Sequence, residues 1–376
     1  MAAWYDERLE AQARAYEQAQ AILFLVRFAL LFALAAVFWM SGWSRALGAG
    51  LRNWFSFPFA WPLVCAAFTA LAVFGYEVVL FPLSVLADYS FERLHGRLEA
   101  EFAQWLGGFL LTLLLEVGIV TGAFTGLYVL MRIFPTAWWL AATAAYVLLV
   151  TGLGEGGAAW LLPRVRPPVP AGDAALAEEL RRVGRAAGLE IEDAAWWDFE
   201  HQENLAEVRL AGTGRRRRVI FSAQAWHGYG RREQVYLAAH QMARFRHGAG
   251  LAMQVLQAVL AGGVFWGAAQ ITEWAARTHG LPGTSAPEAF PFLVTSLFAL
   301  AALAGVAAHA VLRHLELAAD RFALGQAGGE DVLQSCLRIA FEQEPFAVDA
   351  PGWQVVLLHR APTPAHRLAQ AAGLKR

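Results

Sequence analysis

Two stretches decide the fold: GAGLAMQVLQAVLAGGVFWGAAQIT, Gly248–Thr272, and AFPFLVTSLFALAALAGVAAHAVL, Ala289–Leu312. Neither contains Asp, Glu, Lys or Arg. A helix needs about 20 largely apolar residues to cross a bilayer core. A helix of a soluble protein keeps a polar stripe, and these two have none. Four further apolar runs precede them, each broken by one charge. Ala21–Trp43 carries Arg27, Trp54–Ala87 carries Glu77, Trp105–Met131 carries Glu116 and Ile133–Leu162 carries Glu155. The expectation is therefore six membrane spans. Trp39, Trp43, Trp61, Trp138, Trp139, Trp266 and Trp274 stand near the ends of these runs, as in the aromatic belts of membrane interfaces.

Composition agrees. Of 376 residues, 57% are hydrophobic and only 16% charged, with mean hydropathy +0.40. Soluble domains carry about 25% charge. The formal net charge of −1 gives no field that would attract nucleic acid, and the apolar content excludes disorder. Cys65 and Cys336 have no partner spacing and read as small buried hydrophobes.

Between the fourth and fifth runs lies a polar insert, and a second polar stretch closes the chain. The expected organisation is a polar helix at 1–20, a four-span region at 21–163, an α+β insert at 164–247, two spans at 248–312 and a tail at 313–376. In the insert, Asp173 and Gly188 punctuate a helix as N-cap and terminal glycine. Leu205–Leu210 and Arg217–Phe221 alternate around Ala-Gly-Thr-Gly, which predicts a hairpin. RREQVYLAAHQMARFRH, Arg231–His247, reads as one helix leading into the fifth span. The arginines 215–218 and the positive-inside rule place the insert and both termini in the cytoplasm. That run is a candidate contact for anionic lipid, or simply a solvated hairpin arm. Glu116 is the deepest intramembrane carboxylate and the candidate for facing an interior polar chamber; for Glu77 and Glu155 a position near the interface serves equally well.

The residues that bear chemistry flank the last two spans. His240-Gln241-Met242-Ala243-Arg244 precedes them, and Glu316-Leu317-Ala318-Ala319-Asp320 follows them. This arrangement resembles the integral-membrane zinc metallopeptidases of the CAAX prenyl protease and heat-shock membrane protease type. In that family an HExxH helix and, two spans later, an ExxxD segment share one zinc ion. Gly212-Thr213-Gly214-Arg215 with Arg217-Arg218-Val219-Ile220-Phe221 resembles its GxGxxRRIVL strand, and Pro362 with Arg367 resembles its C-terminal HPxxxxR segment. The resemblance implies an α-helical polytopic membrane protein of about six spans with a small cytoplasmic α+β metallopeptidase-like domain, in a bacterial inner membrane. It puts His240 and Glu316 at metal-ligand positions, Gln241 at the general-base position, Asp320 at the family's acidic partner and Arg367 among the catalytic residues.

The departures are chemical. Two imidazoles at i and i+4 reach one metal, but position 244 is Arg, a permanent cation that cannot ligate zinc. Position 241 is Gln, an amide with no basicity for activating a metal-bound water. Ala361 stands where the family has a His before the proline, and Glu207 where its strand has an asparagine. His247, His309, His314, His359 and His366 are the remaining candidates for a rearranged site. The reading preferred is an inactive pseudoprotease without zinc, in which Arg244 faces Glu316 as an ion pair. It binds membrane lipid and a peptide, lipidated or protein partner, with the hairpin strand 217–221 as an edge for strand addition. The alternatives are an active but atypical zinc metalloendopeptidase and a structural membrane scaffold.

Overall fold

The computed structural model describes residues 4–153, 167–197, 207–212, 216–245 and 249–373. Among the described residues, five helices are long and apolar enough to cross a membrane. They are α1 (Glu7–Met40), α3 (Trp61–Ser84, continuing to Leu94), α4 (Phe102–Ile133), α9 (Ala249–Thr278) and α10 (Phe290–Ala327). The short α2 (Trp43–Trp54) lies between α1 and α3. The expected fourth span appears as α5 (Trp138–Leu153), a shorter apolar helix. The second half of that predicted run, including Glu155, lies outside the described residues. Among the described residues there are therefore five candidate spans, and the run predicted as the fourth span continues beyond them. The fold is nonetheless that of an integral membrane protein, mostly helical, with one small mixed sheet.

The chain divides into two compact units. One comprises Met1–Ala19, Val147–Val259 and Gly305–Arg376; the other comprises Gln20–Tyr146 and Leu260–Ala304. The polar stretch at 1–20 is no separate helix: α1 runs unbroken from Glu7 through the first apolar run, because nothing between Gln18 and Ile22 breaks a helix.

In the apolar unit, Cys65, Tyr128, Met131, Trp138, Ala142, Ala268 and Leu293 form a packed core. Trp138 is buried in it. Within the same unit Arg27 pairs with Asp88 at 2.7 Å, which compensates a charge that lipid alone would penalise. Glu116 lies on an exposed face of α4.

The other unit carries the sheet, in the order β1-β2-β4-β3: β1 (Val169–Pro170), β2 (Glu190–Trp197), β3 (Val208–Ala211) and β4 (Arg216–Ser222). β2 and β4 run parallel, and β3 pairs antiparallel with β4. The predicted hairpin is present, but β4 is covered on both sides. It has no free edge, so the expected strand addition at 217–221 cannot occur there; β1 and β3 are the edge strands. Leu205 and the Thr213–Arg215 turn lie outside the described residues.

Helix α6 (Ala174–Ala187) starts and stops as its caps dictate. The Asp173 carboxylate accepts the Leu176 N–H at 2.9 Å, and Gly188 takes the left-handed conformation that ends the helix. That hydrogen bond and the Arg231 guanidinium hold the Asp173 carboxyl below its ordinary range. A carboxylate with a lowered folded-state pKa stabilises at pH above its unfolded value, and the gain disappears as pH falls through the lowered one. Asp173→Ala is thus expected to cost about 1 kcal/mol near neutral pH and almost nothing at strongly acid pH. Thermal unfolding of both proteins across pH checks this; a penalty that persists in acid refutes it. Leu176, Leu180 and Val183 of α6, Val219 and Phe221 of β4, and the inner face of α8 (Arg231–Ala243) then form one core with Ala323, Val332 and Leu333.

Candidate functional site: an ion-pair ladder on two helices

Helix α8 has two faces. Val235, Ala238, Ala239 and Met242 are fully or nearly buried in the core. Tyr236, His240 and Arg244 follow at intervals of four, one above the other on a second face. The predicted helix Arg231–His247 is too long: α8 ends at Ala243, Arg244 is its C-cap residue, and His247 lies outside the described residues. Opposite stand Glu316 and Asp320, also four apart, on α10 (Phe290–Ala327).

These residues meet rung by rung. The Tyr236 hydroxyl donates to Asp320 Oδ1 at 2.6 Å. His240 Nε2 lies 3.1 Å from Glu316 Oε2 and 3.2 Å from Asp320 Oδ1. It is aligned with neither oxygen well enough for a directed hydrogen bond, so this rung is an electrostatic contact shared by two carboxylates. Arg244 Nη2 donates to Glu316 Oε1 at 2.6 Å.

A third element closes the far end. Pro362 and Thr363 lead into α13 (Pro364–Gly373), with Pro364 at its first position. The Thr363 hydroxyl accepts the His366 N–H at 3.3 Å as an N-cap. This start aims Arg367 at Asp320. Its Nε donates to Oδ2 and its Nη2 to Oδ1, both at 2.8 Å, and Nη2 also donates to the Tyr236 hydroxyl at 3.0 Å. Gln370 bonds the Leu317 carbonyl and keeps α13 seated on α10. Arg367 therefore spends its fork on a buried carboxylate. Asp320 and Arg367 are both sequence candidates, but their pairing and the part of Tyr236 come from the structure; the place of Tyr236 four residues before His240 is the signal that points to it.

The electrostatics are closed. Burial pushes the Tyr236 phenol far above its usual pKa, so it remains a donor. Burial opposes the Arg367 charge, but its bonds to Asp320 outweigh that and hold the guanidinium charged. Burial alone would lower the His240 pKa; contact with Asp320 and Glu316 reverses the sign and raises it. Two carboxylates thus face two permanent cations, with His240 between them.

This donor set does not fit zinc. Asp320 has both oxygens engaged by Tyr236 and Arg367. Glu316 gives one to Arg244 and turns the other to His240. His240 supplies the one imidazole in the ladder. His309 and His359 are half-buried elsewhere, while His314 and His366 are exposed. Among the described residues no group of three or more His, Cys, Asp or Glu side chains is arranged to hold a metal ion. Gln241, half-buried, offers an amide beside the ladder and no base.

No protein-family model and no curated protein matches the chain. Among solved structures, the crystal structure of S. mikatae Ste24p is similar with a TM-score of 0.73, covering 98% of this chain and 90% of that chain at 14% sequence identity. At that identity the likeness establishes the fold, and this chain has a Ste24p-like fold over nearly its whole length.

Proposed function

We propose that this chain is a membrane-embedded CAAX-protease-like metallopeptidase homologue that has lost hydrolysis and serves as a pseudoprotease, holding a peptide, lipidated or protein partner without cutting it. One observation carries the reading: Arg244 stands at the second-ligand position of the HExxH-like helix and bonds Glu316, the third-ligand position, at 2.6 Å. A charge-assisted bond does there what a metal would do, tying α8 to α10. The order of motifs around the last two spans and the Ste24p-like fold support the family; Gln241 in place of the base supports the loss of activity. In this reading Asp320 and Arg367 position the ladder, Glu116 faces a polar chamber, no cofactor is needed, and the insert and both termini lie on the cytoplasmic side of a bacterial inner membrane.

The test is the metal content of the protein purified from native membranes without chelator and with zinc in the growth medium. The expected result is far less than one zinc per chain and no cleavage of a prenylated peptide. Stoichiometric zinc overturns the proposal.

A further inference from the structure

The segment between α1 and α3, residues 41–60, contains no acidic residue and carries an aromatic surface unused by the fold. Helix α2 is two-faced. Ser44, Leu47, Gly48 and Leu51 follow a helical period and turn inward. Ser44 and Gly48 are buried, and Leu47 and Leu51 pack beside Phe68, Phe290 and Val294. The Ser44 hydroxyl donates to the Glu288 carbonyl at 2.9 Å, and Arg52 pairs with the buried Glu288 carboxylate. A Cβ at Gly48 would collide with the Glu288 side chain, which would have to shift. The inner face is fixed.

The outer side is different. Trp43 is 68% exposed, Trp54 83%, Phe57 52% and Phe59 97%. Phe59 is also the one non-glycine residue with positive φ among the described residues, at 65°. Bulky side chains seldom adopt that conformation. A turn holds Phe59 in it: the Ala60 N–H donates to the Phe57 carbonyl at 3.2 Å across Pro58 and Phe59, and the ring is left almost wholly exposed.

Chain continuity says what meets these exposed rings. Met40 ends one span and Trp61 begins the next, so residues 41–60 sit where the bilayer meets water. Aromatic rings are at home at that depth. We propose that α2 and the loop to Trp61 form an interfacial lipid anchor: α2 lies in the plane of the membrane, and Trp43, Trp54, Phe57 and Phe59 enter the boundary between headgroups and acyl chains. The partner is zwitterionic lipid. Both cations of the segment are engaged by the protein, Arg52 by Glu288, and Arg45 by the Trp39 ring at 4.6 Å and the His279 carbonyl at 3.2 Å. Anionic headgroups are not needed. This anchor is independent of the ladder on α8.

The test uses the full chain in nanodiscs with a spin label at F59C and, separately, F57C. Cys65 and Cys336 are buried, so the introduced thiol is the reactive one. Labels at F74C, on an exposed span position, and R185C, on the exposed side of α6, set the lipid and water references. In phosphatidylcholine with one chain per disc, the oxygen-to-nickel-chelate collision ratio at 57 and 59 is expected to lie nearer F74C than R185C. It should stay there when a third of the lipid is replaced by phosphatidylglycerol. Water-like ratios at both positions overturn the proposal, as does a lipid-like ratio that requires phosphatidylglycerol. Shielding that appears only with two chains per disc also overturns it and assigns the surface to a second copy.

Discussion

Asp320→Ala is expected to destabilise the protein by about 3–5 kcal/mol, the usual cost of stranding one partner of a buried ion pair. Asp320 has a side-chain exposure of 1%, and its two oxygens hold three donor contacts from Arg367 and Tyr236. Removing the carboxylate leaves a guanidinium that cannot deprotonate and a phenol without its acceptor. The contrast is Arg244→Ala. Arg244 is 44% exposed, so its bond to Glu316 is partly screened, and its loss is expected to cost no more than about 1 kcal/mol. The double variant Asp320→Leu/Arg367→Met should recover much of the first loss, because it removes the stranded charge along with its partner. Apparent melting temperatures in one detergent rank the three variants. If Asp320→Ala melts with Arg244→Ala, the ladder is not the element that holds α8, α10 and α13 together.

The difference between those two bonds explains what the sequence disclosed and what it concealed. Charge-free runs such as Ala289–Leu312 announce themselves, since hydropathy is a local sum. The caps at Asp173 and Gly188 are local too, and both sit where the letters place them. Spacing rules put Glu316 and Asp320 on one helix face, and the Arg244 side chain does reach Glu316. Tyr236 escaped because an aromatic residue in a helix looks like core until its partner is known, and Asp320 is 84 residues away. The interior position of β4 escaped for a related reason. Its neighbour β2 (EIEDAAWW) has no clean alternation, and parallel pairing is invisible to local pattern. The end of α8 at Ala243 is hidden in RFRH, which contains no breaker. Residues 44–53 escaped altogether as a helix of their own, because a short amphipathic helix between two long apolar ones falls below the length at which periodicity speaks.

If the proposed pseudoprotease reading holds, an imidazole at position 244 should create a metal site. In Arg244→His the permanent cation leaves, Glu316 Oε1 loses its donor, and a second ring stands one helical turn from His240 on the same face. Position 244 is the C-cap of α8, where histidine is well accommodated. His240, the imidazole introduced at position 244 and Glu316 would then supply three ligands, the number a catalytic zinc uses. Apparent zinc affinity is expected to rise by about 100-fold or more over the natural protein, equivalent to roughly 2.8 kcal/mol. Competition with a chromogenic chelator measures it. Gln241→Glu added to Arg244→His should change affinity little, since on the proposed reading position 241 corresponds to the base and not to a ligand, and the change places a proton acceptor beside the metal. Asp320→Ala must not be part of this comparison, because its effect on the fold would mask the result. If the folded double variant binds zinc no better than the natural protein, the ion pair has not taken the place of a metal, and the architecture has diverged beyond the two substituted residues.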